Sequence, residues 1–330
     1  MFLFVIFEYS EAQTLRIIEG GRKSSIRAVS VADPSVIWIS GSGGWFAKSI
    51  NGGKSWSWNQ LDKYKLSDFR GIKAFSADRA VLMSSGSPGL ILMTEDGGKT
   101  WTESYRNESA DIFLDGISFY NDKEGLVYGD PLKGEMQLLK SVDGGKSWKD
   151  ISYNMKIKLM AGEASFAASN TGLYTMGAGK TWILTGGRQS RIFYSPDKGE
   201  GWEVFDCPVI QGAETQGPFS IAFYDGKTGA VAGGDYKADT VGTRSFFLTN
   251  DGGRTWKEPA RGPGGFRSCV VYLSAEILVA TGTSGTDISR DGGQHWTPLS
   301  KQGYHVVSVL EKGKTAVLAG SDGRLALLNL

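Results

Sequence analysis

The sequence predicts an all-β chain folded as a seven-bladed β-propeller whose last blade is closed by the N-terminal strand. Three observations carry this. One eight-residue turn motif recurs six times: Ser49-Ile-Asn-Gly-Gly-Lys-Ser-Trp56, Thr94-Glu-Asp-Gly-Gly-Lys-Thr-Trp101, Ser141-Val-Asp-Gly-Gly-Lys-Ser-Trp148, Ser195-Pro-Asp-Lys-Gly-Glu-Gly-Trp202, Thr249-Asn-Asp-Gly-Gly-Arg-Thr-Trp256 and Ser289-Arg-Asp-Gly-Gly-Gln-His-Trp296. The copies are 40 to 54 residues apart, the length of one four-stranded blade. Three strands follow the last copy, and a lone strand, Thr14-Leu-Arg-Ile-Ile18, precedes the first blade.

Each copy reads as the hairpin between the third and fourth strands of a blade. Gly supplies positive φ without steric cost, and an Asp side chain accepts hydrogen bonds from backbone N–H groups just ahead of it. The Trp opens the next strand and offers a large apolar surface. Asn51, Asp96, Asp143, Asp197, Asp251 and Asp291, with Trp56, Trp101, Trp148, Trp202, Trp256 and Trp296, are therefore expected to be structural.

Blade 1 is expected from Ser25 to about Leu61, with strands at Ile26-Arg-Ala-Val-Ser-Val31, Val36-Ile-Trp-Ile-Ser40 and Trp45-Phe-Ala-Lys48. Later blades begin near Phe69, Phe113, Gly162, Phe219 and Phe266. The seventh has Tyr304–Leu310, Lys314–Ala319 and Arg324–Leu328, and borrows its outer strand from Thr14–Ile18. Pairing the two chain ends removes a sheet edge. Six or eight blades are the alternatives. Residues 14–330 form one domain, because stacked repeats share one core.

Lys and Arg total 36 against 35 Asp and Glu, a net charge of +1. A nucleic-acid binder should be strongly basic, so that class is set aside. No run of about 18 apolar residues suggests a transmembrane helix. Cys207 and Cys269 fall in separate blades and read as free thiols, and the spacing offers no metal site or cofactor motif. Gly177-Ala-Gly-Lys-Thr181 is no phosphate loop: Tyr174 stands where the first Gly is required, and a strand follows instead of a helix. Residues 1–12, with an apolar Phe2–Phe7 and a small-residue Ser10-Glu-Ala12, read as a truncated signal peptide. Export and a monomeric state are the expectations, with a buried N-terminal strand as the alternative for the first residues.

Function is sought at the inner strands, which surround the channel. Their first residues read Arg27, Arg70, Asp115, Glu163, Ser220, Arg267 and His305. Blade order sets Arg267, His305, Arg27 and Arg70 side by side, facing Asp115 and Glu163. Arginine binds carboxylate, phosphate or sulfate bidentately, so the basic arc suits an anionic ligand. A wet channel of compensating charges gives the same pattern. Long loops in blades 3 to 5 add Asp130, Arg188, Asp235, Tyr236 and Arg244 to the same rim.

The recurring turn resembles the Asp-box, or bacterial neuraminidase repeat, of sialidase-like propellers, sortilin-type receptors and the photosystem II stability/assembly factor family. Over residues 14–330 the chain is most similar to the last, through the boxes, the blade count and phrases such as Phe69-Arg-Gly, Gly129-Asp-Pro, Gly162-Glu-Ala-Ser-Phe, Gly233-Gly-Asp-Tyr and Gly265-Phe-Arg-Ser. That resemblance implies an exported, non-enzymatic binding or assembly module with a protein partner or an anionic small molecule or saccharide. The sialidase resemblance implies instead a glycosidase or lyase for an acidic sugar, with Asp115, Glu163 and Tyr236 as catalytic candidates. The sialidase Arg-Ile-Pro motif is missing; Arg16-Ile-Ile18 stands nearest to it.

Overall fold

The structure is a computed structural model and describes residues 14–132 and 134–330. The signal-like stretch 1–12 lies outside these residues. Strand β1 (Thr14–Glu19) precedes blade 1, which is built from β2 (Ile26–Asp33), β3 (Val36–Gly41), β4 (Trp45–Ser49) and β5 (Ser57–Gln60). Blade 2 holds β6 (Asp68–Ala74), β7 (Ala80–Ser85), β8 (Gly89–Thr94) and β9 (Thr102–Asn107). Blade 3 holds β10 (Leu114–Phe119), β11 (Gly125–Leu132), β12 (Glu135–Ser141) and β13 (Lys149–Asp150). Blade 4 holds β14 (Glu163–Ala164), β15 (Leu173–Met176), β16 (Lys180–Gly187), β17 (Arg191–Ser195) and β18 (Glu203–Asp206). Blade 5 holds β19 (Gln216–Phe223), β20 (Gly229–Asp235) and β21 (Phe246–Thr249). Blade 6 holds β22 (Cys269–Tyr272), β23 (Leu278–Gly282), β24 (Gly285–Ser289) and β25 (Trp296–Ser300). Blade 7 holds β26 (Val306–Glu311), β27 (Thr315–Ala319) and β28 (Leu325–Asn329).

The seventh sheet runs β1-β28-β27-β26, with Thr14 paired to Asn329 and Ile17 to Ala326, so the two ends of the chain close the ring. Two blades depart from the four-strand expectation. In blade 4 the inner strand is split: β14 and β15 both pair with β16, and residues 165–172 leave the sheet between them. Ser165-Phe-Ala-Ala-Ser-Asn-Thr-Gly172 lacks the apolar alternation that would hold it in the ladder. Asn170, at φ 62°, accepts from Ile117 N–H and donates to Ile117 C=O, doing the work of a missing strand for blade 3. In blade 5 the outer strand shrinks to one bridge, Leu248 to Lys257, before Pro259, whose missing N–H cannot extend the ladder.

The boxes clasp each blade to the one before it. The first hydroxyl accepts from the N–H of the second Gly, as in Thr94 Oγ1 with Gly98 N at 3.0 Å and Ser141 Oγ with Gly145 N at 2.9 Å. The acid accepts from the N–H four residues on, as in Asp96 with Thr100 and Asp251 with Thr255, both at 2.9 Å. The second Gly has φ near 90° and lies against the previous blade. A Cβ on Gly98 would stand 2.8 Å from the Phe46 ring, and one on Gly145 would stand 2.7 Å from Val81. The Trp beside it buries into the same seam: Trp101 meets Phe46 edge-on at 5.2 Å, and Trp296 meets Phe246 at 4.9 Å. The core is accordingly a ring of inter-blade clusters, with Trp38, Trp182, Tyr128 and Phe193 fully buried in them. Cys207 and Cys269 are buried free thiols. Among the described residues, no helix is long and apolar enough to cross a membrane.

Candidate ligand-binding site

Segment 165–172 decides the shape of the site. Arg70 of blade 2 donates to Ala167 O at 3.3 Å, and Ser165 N donates to Asp130 of blade 3 at 2.8 Å. Thr171 Oγ1 donates to Ser220 of blade 5 at 2.8 Å, and Ser169 Oγ donates to Ser268 O, just before blade 6, at 2.6 Å. A piece of blade 4 thus crosses the centre of the ring. It turns the long-loop end of the channel into a cup of about 430 Å³. Phe113, Phe166, Phe219, Phe266 and Tyr236 wall the cup, with Arg27, Arg70, Asp130 and His305 among them. Phe166 stacks on Phe219 at 4.0 Å, and Phe266 meets Phe219 edge-on at 4.7 Å, which makes this wall rigid.

The candidates read from the sequence divide into two groups. Arg27, Arg70, Asp130, Tyr236 and His305 do line one cup. Glu163 and Arg267 do not. Glu163, its side chain wholly buried, holds Arg191 Nε at 2.9 Å and Nη2 at 2.5 Å, and also accepts from Met160 N and the Thr185 hydroxyl. Arg267 is 3% exposed and forks onto Asp287, with Nε at 2.6 Å and Nη2 at 2.5 Å, while Nη1 bonds Phe266 O and Ser284 Oγ. Both therefore tie strands together within their own blades and offer nothing to a ligand. The expected triple-arginine arc is a pair.

Asp115 is also withdrawn from the mouth. It is 1% exposed, and neither carboxyl oxygen has a protein partner. Burial pushes its pKa well up, with a further push from Asp130. Arg188 is exposed at the hairpin after β16 and packs over Gly162, outside the cup. Asp235 accepts from Lys237 N at 2.9 Å and from Gln216 Nε2 at 3.2 Å, which makes it a turn residue. Arg244 bonds Pro208 O through Nε and Nη2.

Within the cup the electrostatics are uneven. Arg70 is held by Asp68, Nε to Oδ2 at 2.7 Å. Arg27 has no hydrogen bond or ion pair among the described residues, and its Nε is buried without an acceptor. Burial first, and Arg70 second, pull its pKa down to about 10, so it remains charged at neutral pH. His305 donates or accepts at Ser321 Oγ, 3.0 Å away. Burial and the neighbouring arginines lower its pKa to about 3, which leaves it neutral. Asp130 uses one oxygen on Ser165 N–H, and burial raises its pKa. Sequence reasoning missed the aromatic wall, the crossing segment and the partners Arg191 and Asp287. The small, non-alternating run 165–172 was the one available signal for the crossing.

Residues 85–165 match the family described as photosynthesis system II assembly factor YCF48. No curated protein matches the sequence. Among solved structures, YCF48 bound to D1 peptide superposes with a TM-score of 0.69 at 14% identity, covering 96% of each chain. YCF48 from Cyanidioschyzon merolae gives 0.69 at 16% identity, covering 96% of this chain and 98% of that one. A xyloglucanase from Xanthomonas campestris gives 0.65 at 15% identity, covering 95% of this chain and 53% of its own. The crossing segment, the boxes and the closed ring thus sit in a seven-bladed β-propeller whose fold is like that of YCF48, and residues 85–165 are similar in sequence to that assembly-factor family.

Proposed function

We propose that this chain is a binding or assembly module whose cup takes an acidic group, flanked by apolar surface, from a protein partner. One observation carries the reading: Arg27 stands in an aromatic-walled cup with no hydrogen-bond or ion-pair partner among the described residues. A partly desolvated guanidinium without an acceptor is costly, and a carboxylate that forks onto it relieves the cost. Peptide binding on a propeller of the same architecture, in YCF48, supports a protein partner. Export belongs to the same reading, supported by the apolar Phe2–Phe7 run and Ser10-Glu-Ala12. A sialidase-like glycosidase would set free carboxyl groups beside Tyr236, which lines the cup. Glu163 is held by Arg191, and Asp115 is sealed below the surface, so the arrangement favours binding.

The test is a displayed peptide library selected on the wild-type propeller, with each enriched peptide titrated against Arg27→Gln. Enriched peptides should carry Asp or Glu beside an aromatic or aliphatic residue and bind Arg27→Gln at least about tenfold more weakly, the scale of one lost charge-assisted contact. Equal affinity for wild type and variant would overturn the reading.

A further inference from the structure

The cup holds two opposite charges that do not meet. Arg27 has no partner among the described residues. Asp130 faces the same cup and, among the described residues, uses only Oδ1, on the Ser165 N–H. Arg70 stands in the blade between them but is fastened to Asp68 and to Ala167 O. Free side chains of opposite sign in one small cavity would normally swing together. Here their backbones are pinned. Ile26 N, beside Arg27, bonds Gly320 O at 3.0 Å, and Asp130 N bonds Phe113 O at 2.9 Å. Blades 1 and 3 therefore hold the two groups apart, and each stays incompletely solvated, a costly state unless something joins them. The walls around them are aromatic: Phe113 and Phe166, half-exposed, and Tyr236, 45% exposed.

We propose that the cup recognises a zwitterion with an aromatic body, its carboxylate on Arg27, its ammonium on the free oxygen of Asp130, and its ring against Phe113, Phe166 and Tyr236. This rests on the reading of Arg27 as an anion receptor and adds the second charge. An aromatic α-amino acid and a short aromatic peptide with both ends free carry the same groups at different separations. A cup of about 430 Å³ admits either. Of the variants used to test it, Arg27→Gln removes the guanidinium and shortens the side chain, while Asp130→Asn is isosteric and retains an oxygen for Ser165 N–H.

Four probes separate the parts: phenylalanine, phenylalanyl-phenylalanine, hydrocinnamate (no ammonium) and phenethylamine (no carboxylate), titrated calorimetrically into the folded wild type. At least one of the two zwitterions should bind about tenfold or more tightly than either single-charge probe. Asp130→Asn should abolish the preference over hydrocinnamate while leaving hydrocinnamate itself bound as well or better. Arg27→Gln should abolish the preference over phenethylamine. Whichever zwitterion leads tells the free amino acid from the longer peptide. If hydrocinnamate matches both zwitterions on the wild type, or Asp130→Asn keeps the preference intact, the second charge plays no part and the proposal fails, while anion binding at Arg27 survives. If none of the four probes binds, the proposal fails and the peptide selection alone decides the fate of the Arg27 reading.

Discussion

Removing Arg191 tests whether Glu163 is a structural carboxylate or a free one. In Arg191→Met the Glu163 carboxylate loses bonds at 2.9 and 2.5 Å and keeps only Met160 N–H and the Thr185 hydroxyl, inside a site with no exposure of its side chain. Leaving one partner of a buried pair uncompensated costs about 3–5 kcal/mol. For 330 residues the unfolding entropy near the midpoint is about 0.7 kcal/mol/K, so Tm should fall by about 4–7 °C. The double variant Glu163→Gln, Arg191→Met removes the stranded charge and should recover at least about half of that loss, a non-additivity expected of contacting groups. Scanning calorimetry of the wild type, both single variants and the double variant closes the cycle. A Tm for Arg191→Met within about 1 °C of the wild type, or a double variant no better than the single, would refute the reasoning and return Glu163 to the list of candidate catalytic groups.

Three further outcomes follow from individual charges. Asp115→Asn should raise stability at pH 7–8 and change little at pH 3: a folded pKa above the unfolded value costs stability as pH rises through it, and urea melts at both pH values check the sign. His305→Gln should flatten the acid side of the stability curve. The wild-type unfolded chain takes up a proton near pH 6.5 that the folded chain refuses until about pH 3, so the wild type loses about 1.4 kcal/mol per pH unit in that window, and a variant with the same slope would contradict this. Asn51→Asp should raise Tm at pH 7, because the Ser55 hydroxyl, which now accepts from Asn51 Nδ2 at 2.8 Å, would turn to donate as Thr100 does to Asp96. Asp96 is held down to about 2, chiefly by that hydroxyl, so the gain should disappear as calorimetry moves toward pH 2, and a gain that persists there would argue for another cause.

The blades were legible because the boxes are local. The bonds inside one, such as those from the first hydroxyl to the second Gly and from the acid to the N–H four residues on, span four residues or fewer, so the pattern of residue types carries them. The glycine that faces the previous blade is part of the same pattern, and the inter-blade clasp is written into it as well. The closing strand was legible for a different reason. Three strands after the last box lack an outer partner and a lone strand precedes the first blade, and Thr14 pairing with Asn329 joins the two. Blade 4 was not legible at the same level. Its crossing segment is held by bonds to residues as far as 99 positions away, which no local pattern encodes.

The site was half legible, and the dividing line is where each charge finds its counterion. Stacking the inner strands treats their first residues as equivalent, yet the partner of each comes from elsewhere. Glu163 is neutralised by Arg191, the first residue of β17, and Arg267 by Asp287 in β24. Both partners lie on the third strand of the same blade, 28 and 20 residues on, and antiparallel register brings them back over the inner strand. Arg70 is served by Asp68, two residues before it. The corresponding strand of blade 1, Trp45-Phe-Ala-Lys-Ser49, contains no acid, and no carboxylate stands two residues before Arg27, where Ser25 lies instead. Arg27 is therefore left over by the blade's own composition. The charge a ligand can use is the one its blade fails to neutralise, and that follows from comparing inner and third strands rather than from counting arginines at the mouth.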